Sequence, residues 1–270
     1  MKIRTLFTAL FSFVLSTLPV TALGDISLTY QSVATPEHKS TVLVNQNYIR
    51  FENPMTPDFF MLYDVKRQRM TLVDSYHRSY TSLDKESLES LSEQIEVTRQ
   101  AIIAELKAGM ETAAPEEKSQ MAEILQQLKE LALAPSQQLV RYVPMDKTQT
   151  INGYQCQLVQ ALVKNDIYAT LCVIDAKQAK ISAEVMSTLR SFHHFSNSVH
   201  QQLNPGDATE LLFIMNSEEQ LPVSIQRLLP TTVKDEYHLV DIQKLQLPEN
   251  AFQVPQEYEA KDIENAFIVE

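Results

Sequence analysis

Residues 61–84 read MLYDVKRQRMTLVDSYHRSYTSLD. Short runs rich in Val, Leu, Thr, Tyr and Met are separated by polar turns such as Lys66-Arg67-Gln68. Runs of five to seven residues bounded by turn residues read as strands joined by tight hairpins. Upstream the pattern continues through residues 26–33 (ISLTYQSV), 40–45 (STVLVN), 48–53 (YIRFEN) and 59–65 (FFMLYDV). In Tyr48-Ile49-Arg50-Phe51, Ile49 and Phe51 share one face, the two-residue period of a half-buried strand. The opening third of the chain is therefore expected to be an antiparallel meander.

The period changes after Asp84. Leu88, Leu91, Ile95, Ile102 and Leu106 form a helical stripe, with Gly109 as the expected stop. A second helix is expected from Pro115, with Glu116 and Glu117 in its first turn. Its stripe is Met121, Ile124, Leu125, Leu128 and Leu131, and Pro135 ends it. Strands resume in residues 138–144, 209–216, 221–229 and 236–247. A third helix is expected over 182–196, with Val185, Leu189 and Phe192 on one face. No repeat or Pro/Gly/Ser linker divides the chain. The expectation is one α+β domain, residues 25–270: a largely antiparallel sheet, a helical hairpin inserted at 84–135, and one further helix.

The chain begins MKIRTLFTALFSFVLSTLPVTALGDIS. A short basic start, an apolar stretch from Leu6 to Val20 and small residues before Asp25 match a secretory signal, residues 1–24. Cleavage is expected near Gly24-Asp25, giving a soluble, periplasmic chain that is not an integral membrane protein. The formal net charge is −11. Such a surface argues against nucleic acid as a partner. Only four glycines are present, and no Gly-rich phosphate loop exists.

The two cysteines lie in GYQCQLVQALVKNDIYATLCVID, residues 153–175. A hairpin turning at Lys164-Asn165-Asp166 places Cys156 and Cys172 on facing strands. In an oxidising compartment a structural disulfide is expected, with unpaired or redox-active thiols as the alternative.

His193, His194 and His200 cluster near the expected end of the third helix. Adjacent helical positions point about 100° apart, so the cluster is read as structural rather than as a metal site. No GxSxG or HExxH motif and no nucleophilic Cys-His pairing occurs. No catalytic residue and no cofactor are expected.

Three stretches carry a resemblance: residues 61–84, INGYQCQLVQAL (151–162) with its returning LCVID (171–175), and LPENAFQVPQEYEA (247–260). Together they resemble a family of exported bacterial proteins filed as a domain of unknown function (DUF4412-like), itself similar to the outer-membrane lipoprotein carriers. The Trp usual in that family after the cysteine hairpin is absent. The resemblance implies a strongly curved sheet, an open half-barrel with helices across its concave side, and an apolar cavity receiving a lipid or lipoprotein acyl chains. Cavity-lining candidates are Phe59, Met61, Tyr63, Met70, Leu72, Val185, Met186 and Leu189. The other expectation is an envelope protein–protein interaction module, with the hairpin as docking arm.

Overall fold

The computed structural model describes residues 24–133, 140–163, 165–203, 220–228 and 234–262. The expected signal segment and the expected strand at 209–216 lie outside these residues.

Six strands form the first meander: β1 (Asp25–Ser32), β2 (Lys39–Val44), β3 (Tyr48–Glu52), β4 (Phe59–Asp64), β5 (Arg69–Asp74) and β6 (Ser79–Leu83). Helices α1 (Lys85–Thr112) and α2 (Pro115–Leu133) follow. Next come β7 (Arg141–Ile151), β8 (Tyr154–Val163), β9 (Asp166–Asp175) and α3 (Ala183–Leu203). The chain closes with β10 (Gln220–Leu228), β11 (Lys234–Leu245), a 3-10 turn at Glu249–Phe252 and the short β12 (Glu259–Ala260).

Among the described residues, twelve strands join one open sheet in the order β12-β6-β5-β4-β3-β2-β1-β11-β10-β9-β8-β7. Every pairing is antiparallel except β12 with β6. The fold is α+β, as expected. The inserted hairpin follows β6 near one edge and precedes β7 at the other.

Register explains the core. Val44, Ile49, Tyr63, Met70 and Leu83 stand opposite one another in successive pairs, so they form one apolar row across β2–β6. Each is buried. The turn from β7 to β8 uses Asn152 and Gly153, both at positive φ (49° and 84°), the conformation a two-residue hairpin with matching twist demands.

The sheet curves around α3. Phe192 packs on Phe51 of β3 and Tyr63 of β4, with ring centroids at 4.7 and 5.3 Å. The next residue, His193, lies 6.2 Å from Tyr142 of β7. Strands β4 and β7 are eight positions apart, about 38 Å in a flat sheet at 4.8 Å per strand. A helix is only about 10–12 Å across. Consecutive residues of one helix reach both strands because the sheet wraps around that helix. This is the half-barrel, and α3 occupies its concavity.

Three helical expectations are corrected. Gly109 is not a stop: α1 continues to Thr112 and its cap is Ala113, whose N–H bonds to the Gly109 carbonyl. A Cβ at Gly109 would sit 3.5 Å from Met121 Cε, an ordinary contact between α1 and α2. Helix α3 runs seven residues past Ser196, so His200 lies within it. Of the expected stripes, Ile95, Ile102 and Ile124 are exposed, while Leu88, Leu91 and Ile103 bury the face of α1.

The C-terminal segment crosses the opposite face of the sheet. Phe252 stacks on Tyr48 at 5.9 Å, and Arg50 donates from Nη1 to the Ala251 carbonyl at 3.0 Å. The strap then pairs as β12 beside β6.

Candidate functional site

The inner face of the half-barrel and the helix lying on it form the site. Tyr63 is fully buried beneath α3. Its hydroxyl donates to the Ser191 carbonyl at 3.2 Å and lies 2.9 Å from Ser191 Oγ. Burial pushes its phenol pKa upward, although the Ser191 side chain opposes the shift. From α3, Val185, Met186, Leu189, Phe192 and Phe195 are all buried.

Of the eight cavity candidates, five share the buried core: Tyr63, Met70, Val185, Met186 and Leu189. Met61 packs against that core. Phe59 and Leu72 are exposed, at 43% and 46%. They nevertheless belong to the same face: Phe59 and Met61 alternate with Tyr63 along β4, and Leu72 stands opposite Met61 in β5. The apolar inner face therefore continues past the part that α3 buries and emerges into solvent at Phe59 and Leu72.

Beside α3 lies a cavity of about 440 Å³. Lys85 and Leu88 of α1 line it with Arg190, Ser191, His194 and Phe195 of α3. A second cavity, about 350 Å³, lies under the C-terminal strap, between Phe252 and the polar floor of Thr71 and Ser82. Among the described residues, no group of three or more His, Cys, Asp or Glu side chains could hold a metal ion. No helix among them is long and apolar enough to cross a membrane.

His193 ties α3 to the far wall. Asn197 Nδ2 lies 3.1 Å from its Nε2, a contact that suits a neutral ring accepting the amide N–H. Burial, aided by neighbouring His194, lowers its pKa from 6.5 to about 4. The folded protein therefore binds fewer protons than the unfolded chain between these values. This contribution is full above pH 6.5 and is lost as pH falls toward 4. After discounting for the ring's partial exposure, acid should cost about 2 kcal/mol. Urea melts at pH 7 and pH 4 measure it, and His193→Gln should flatten the His-dependent part of the difference.

The disulfide is present: Cys156 and Cys172 are bonded, with Cα atoms 5.3 Å apart. The two are diagonal rather than opposed, because Cys172 stands opposite Leu158. Both are buried.

Sequence reasoning missed Phe51, Ser191, His193 and Phe195 as parts of this site. Phe195 was recoverable, since it extends the stripe Val185, Leu189 and Phe192 by one further step of three. Ser191 carried no signal, because its partner Tyr63 is 128 residues away.

No family model matches the chain, and no curated protein matches it. Among solved structures, it is similar to an uncharacterized conserved protein from Thermus thermophilus, at 7% identity and a TM-score of 0.43. That match covers 89% of this chain and 91% of the other. It is also similar to PNGF-II, at 10% identity and a TM-score of 0.41, over 90% of this chain. The match spans about a third (32%) of PNGF-II.

Proposed function

We propose that the protein binds an apolar ligand, a lipid or the acyl chains of a lipoprotein, on the inner face of the half-barrel. Its setting would be the periplasm, and helix α3 would be the displaceable cover. The observation that carries this reading is the exposed continuation of the inner face. Phe59 and Leu72 extend a buried apolar surface into solvent, next to half-buried Met61. Such a surface offers an acyl chain a starting contact, and each buried Å² contributes about 25 cal/mol. The ligand would gain the rest of the floor by lifting α3 off it, with α3 still packed against α1. The resemblance to lipoprotein carriers points the same way.

Native mass spectrometry of the exported protein should find co-purified lipid, and a fluorescent fatty acid should bind saturably. A clean apo mass together with no uptake of the fluorescent acid defeats the proposal.

A second reading has its own observation. From Pro115 to Lys129, α2 has no buried residue, and Ile95, Val97, Ile102 and Ile124 of the hairpin are exposed. An arm that adds so little to the core fits docking on an envelope protein. Its many carboxylates, Glu89, Glu93, Glu96 and Glu105 among them, favour a basic partner surface. Replacing residues 90–128 with a short linker separates the readings: lipid uptake should survive if the site is the half-barrel.

A further inference from the structure

We infer that the cavity beside α3 takes the anionic head group of an amphiphile whose tail enters the half-barrel; this rests on the ligand reading above. The chain carries 34 acidic residues against 23 Lys and Arg. Even so, among the described residues no carboxylate lines this cavity. Its polar wall is built from Lys85 at the start of α1 and from Ser187, Arg190, Ser191 and His194 of α3. Ser187, Ser191 and His194 follow one another at steps of four and three, so one helical face supplies them. Two elements distant in sequence thus bring two permanent cations, Lys85 and Arg190, and the Ser187 hydroxyl to one concavity.

The cations suit an oxyanion. A guanidinium presents parallel N–H donors to a carboxylate or phosphate, and an ammonium adds a point charge. Lys85 pairs with Glu89 at 3.8 Å, but both side chains are well exposed, so the pair is weak and exchangeable. At the inner end, the lining changes to Leu88 and Phe195, both buried. Phe195 touches Tyr63, with ring centroids 5.4 Å apart. The polar wall therefore adjoins the apolar floor, the arrangement an amphiphile requires. A volume of about 440 Å³ lies within the ordinary range of small-molecule sites.

The test uses three probes with one tail: dodecanoate, dodecyl phosphate and 1-dodecanol, each titrated into the chain beginning at Asp25. At least one anionic probe should bind roughly ten-fold more tightly than the alcohol. The tighter of the two tells a fatty acid from a phosphate-bearing lipid. Arg190→Gln and Lys85→Gln should each reduce that advantage by at least about three-fold and leave dodecanol affinity unchanged. Lys85 is 84% exposed in its side chain, so its variant keeps the test valid if Arg190→Gln fails to fold. Equal affinity for all three probes overturns the head-group inference and leaves the ligand reading standing. An anionic preference untouched by Lys85→Gln and by any folded Arg190→Gln overturns this cavity as its source. If no dodecyl compound binds, the ligand reading falls, and this inference with it.

Discussion

Phe192→Ala should destabilise the protein by about 3–5 kcal/mol, the usual range for removing a buried aromatic ring. Phe192 is 2% exposed and is clamped between Phe51 and Tyr63. It links α3 to the first meander, so the lost ring leaves a cavity in the core of the half-barrel. The substitution should do something further if α3 is a cover. A ligand that competes with α3 for the floor binds in proportion to the fraction of molecules with the helix displaced. Weakening the helix should raise that fraction. Apparent affinity for a fluorescent fatty acid should therefore rise in the folded fraction while stability falls. Denaturant melts and titrations on the same preparation give both numbers. Parallel loss of stability and affinity would mean that α3 must stay on the floor for the ligand to bind.

Cys172→Ser should cost about 2–4 kcal/mol. The bond closes a loop with a sequence separation of 16 residues, for which chain entropy gives about 3 kcal/mol. Both cysteines are buried in a sheet held by flanking pairs of β8 with β9 and of β9 with β10. The remaining folded molecules should therefore keep their ligand affinity, since the sheet itself survives. Thiol titration of unreduced, denatured wild-type protein should find no free thiol. Two thiols per chain would show that the bond does not form. Loss of binding in folded Cys172→Ser would give the bond a functional role that its position does not suggest.

The meander was legible because alternation is a local signal. Ile49 and Phe51 declared their common face, and the turn at 66–68 marked a reversal. Their neighbours across the sheet then followed from register. The helices were harder. Ser196, Asn197 and Ser198 look like the end of a helix, yet α3 continues through them because Phe195 and Val199 are buried on its inner side. Gly109 looks like a stop, yet α1 runs through it to Thr112. Ile95, Ile102 and Ile124 fit a helical stripe, but periodicity cannot tell a packed face from one open to solvent.

The candidate site was half legible. Tyr63, Met70, Val185, Met186 and Leu189 were named from alternation, stripe and resemblance, and they do meet in one core. That α3 fills the concavity could not be read, because it depends on sheet curvature. The two halves of the chain become one sheet through the pairing of β11 with β1, between residues more than 200 positions apart. The strap over residues 247–260 has no period at all; its order comes from contacts such as Tyr48 with Phe252.

The central claim is that α3 leaves the inner face when an apolar ligand binds. Leu189→Cys supplies the direct probe, since Leu189 is 4% exposed on the covered side of α3 and both native cysteines are already bonded. The rate of maleimide labelling at this thiol should be measured with and without saturating dodecanoate. Labelling should be slow in the free protein and rise at least roughly ten-fold with ligand, the response expected when a minor displaced state becomes dominant. Dodecanoate that binds but leaves the labelling rate unchanged, or slows it, would contradict the claim.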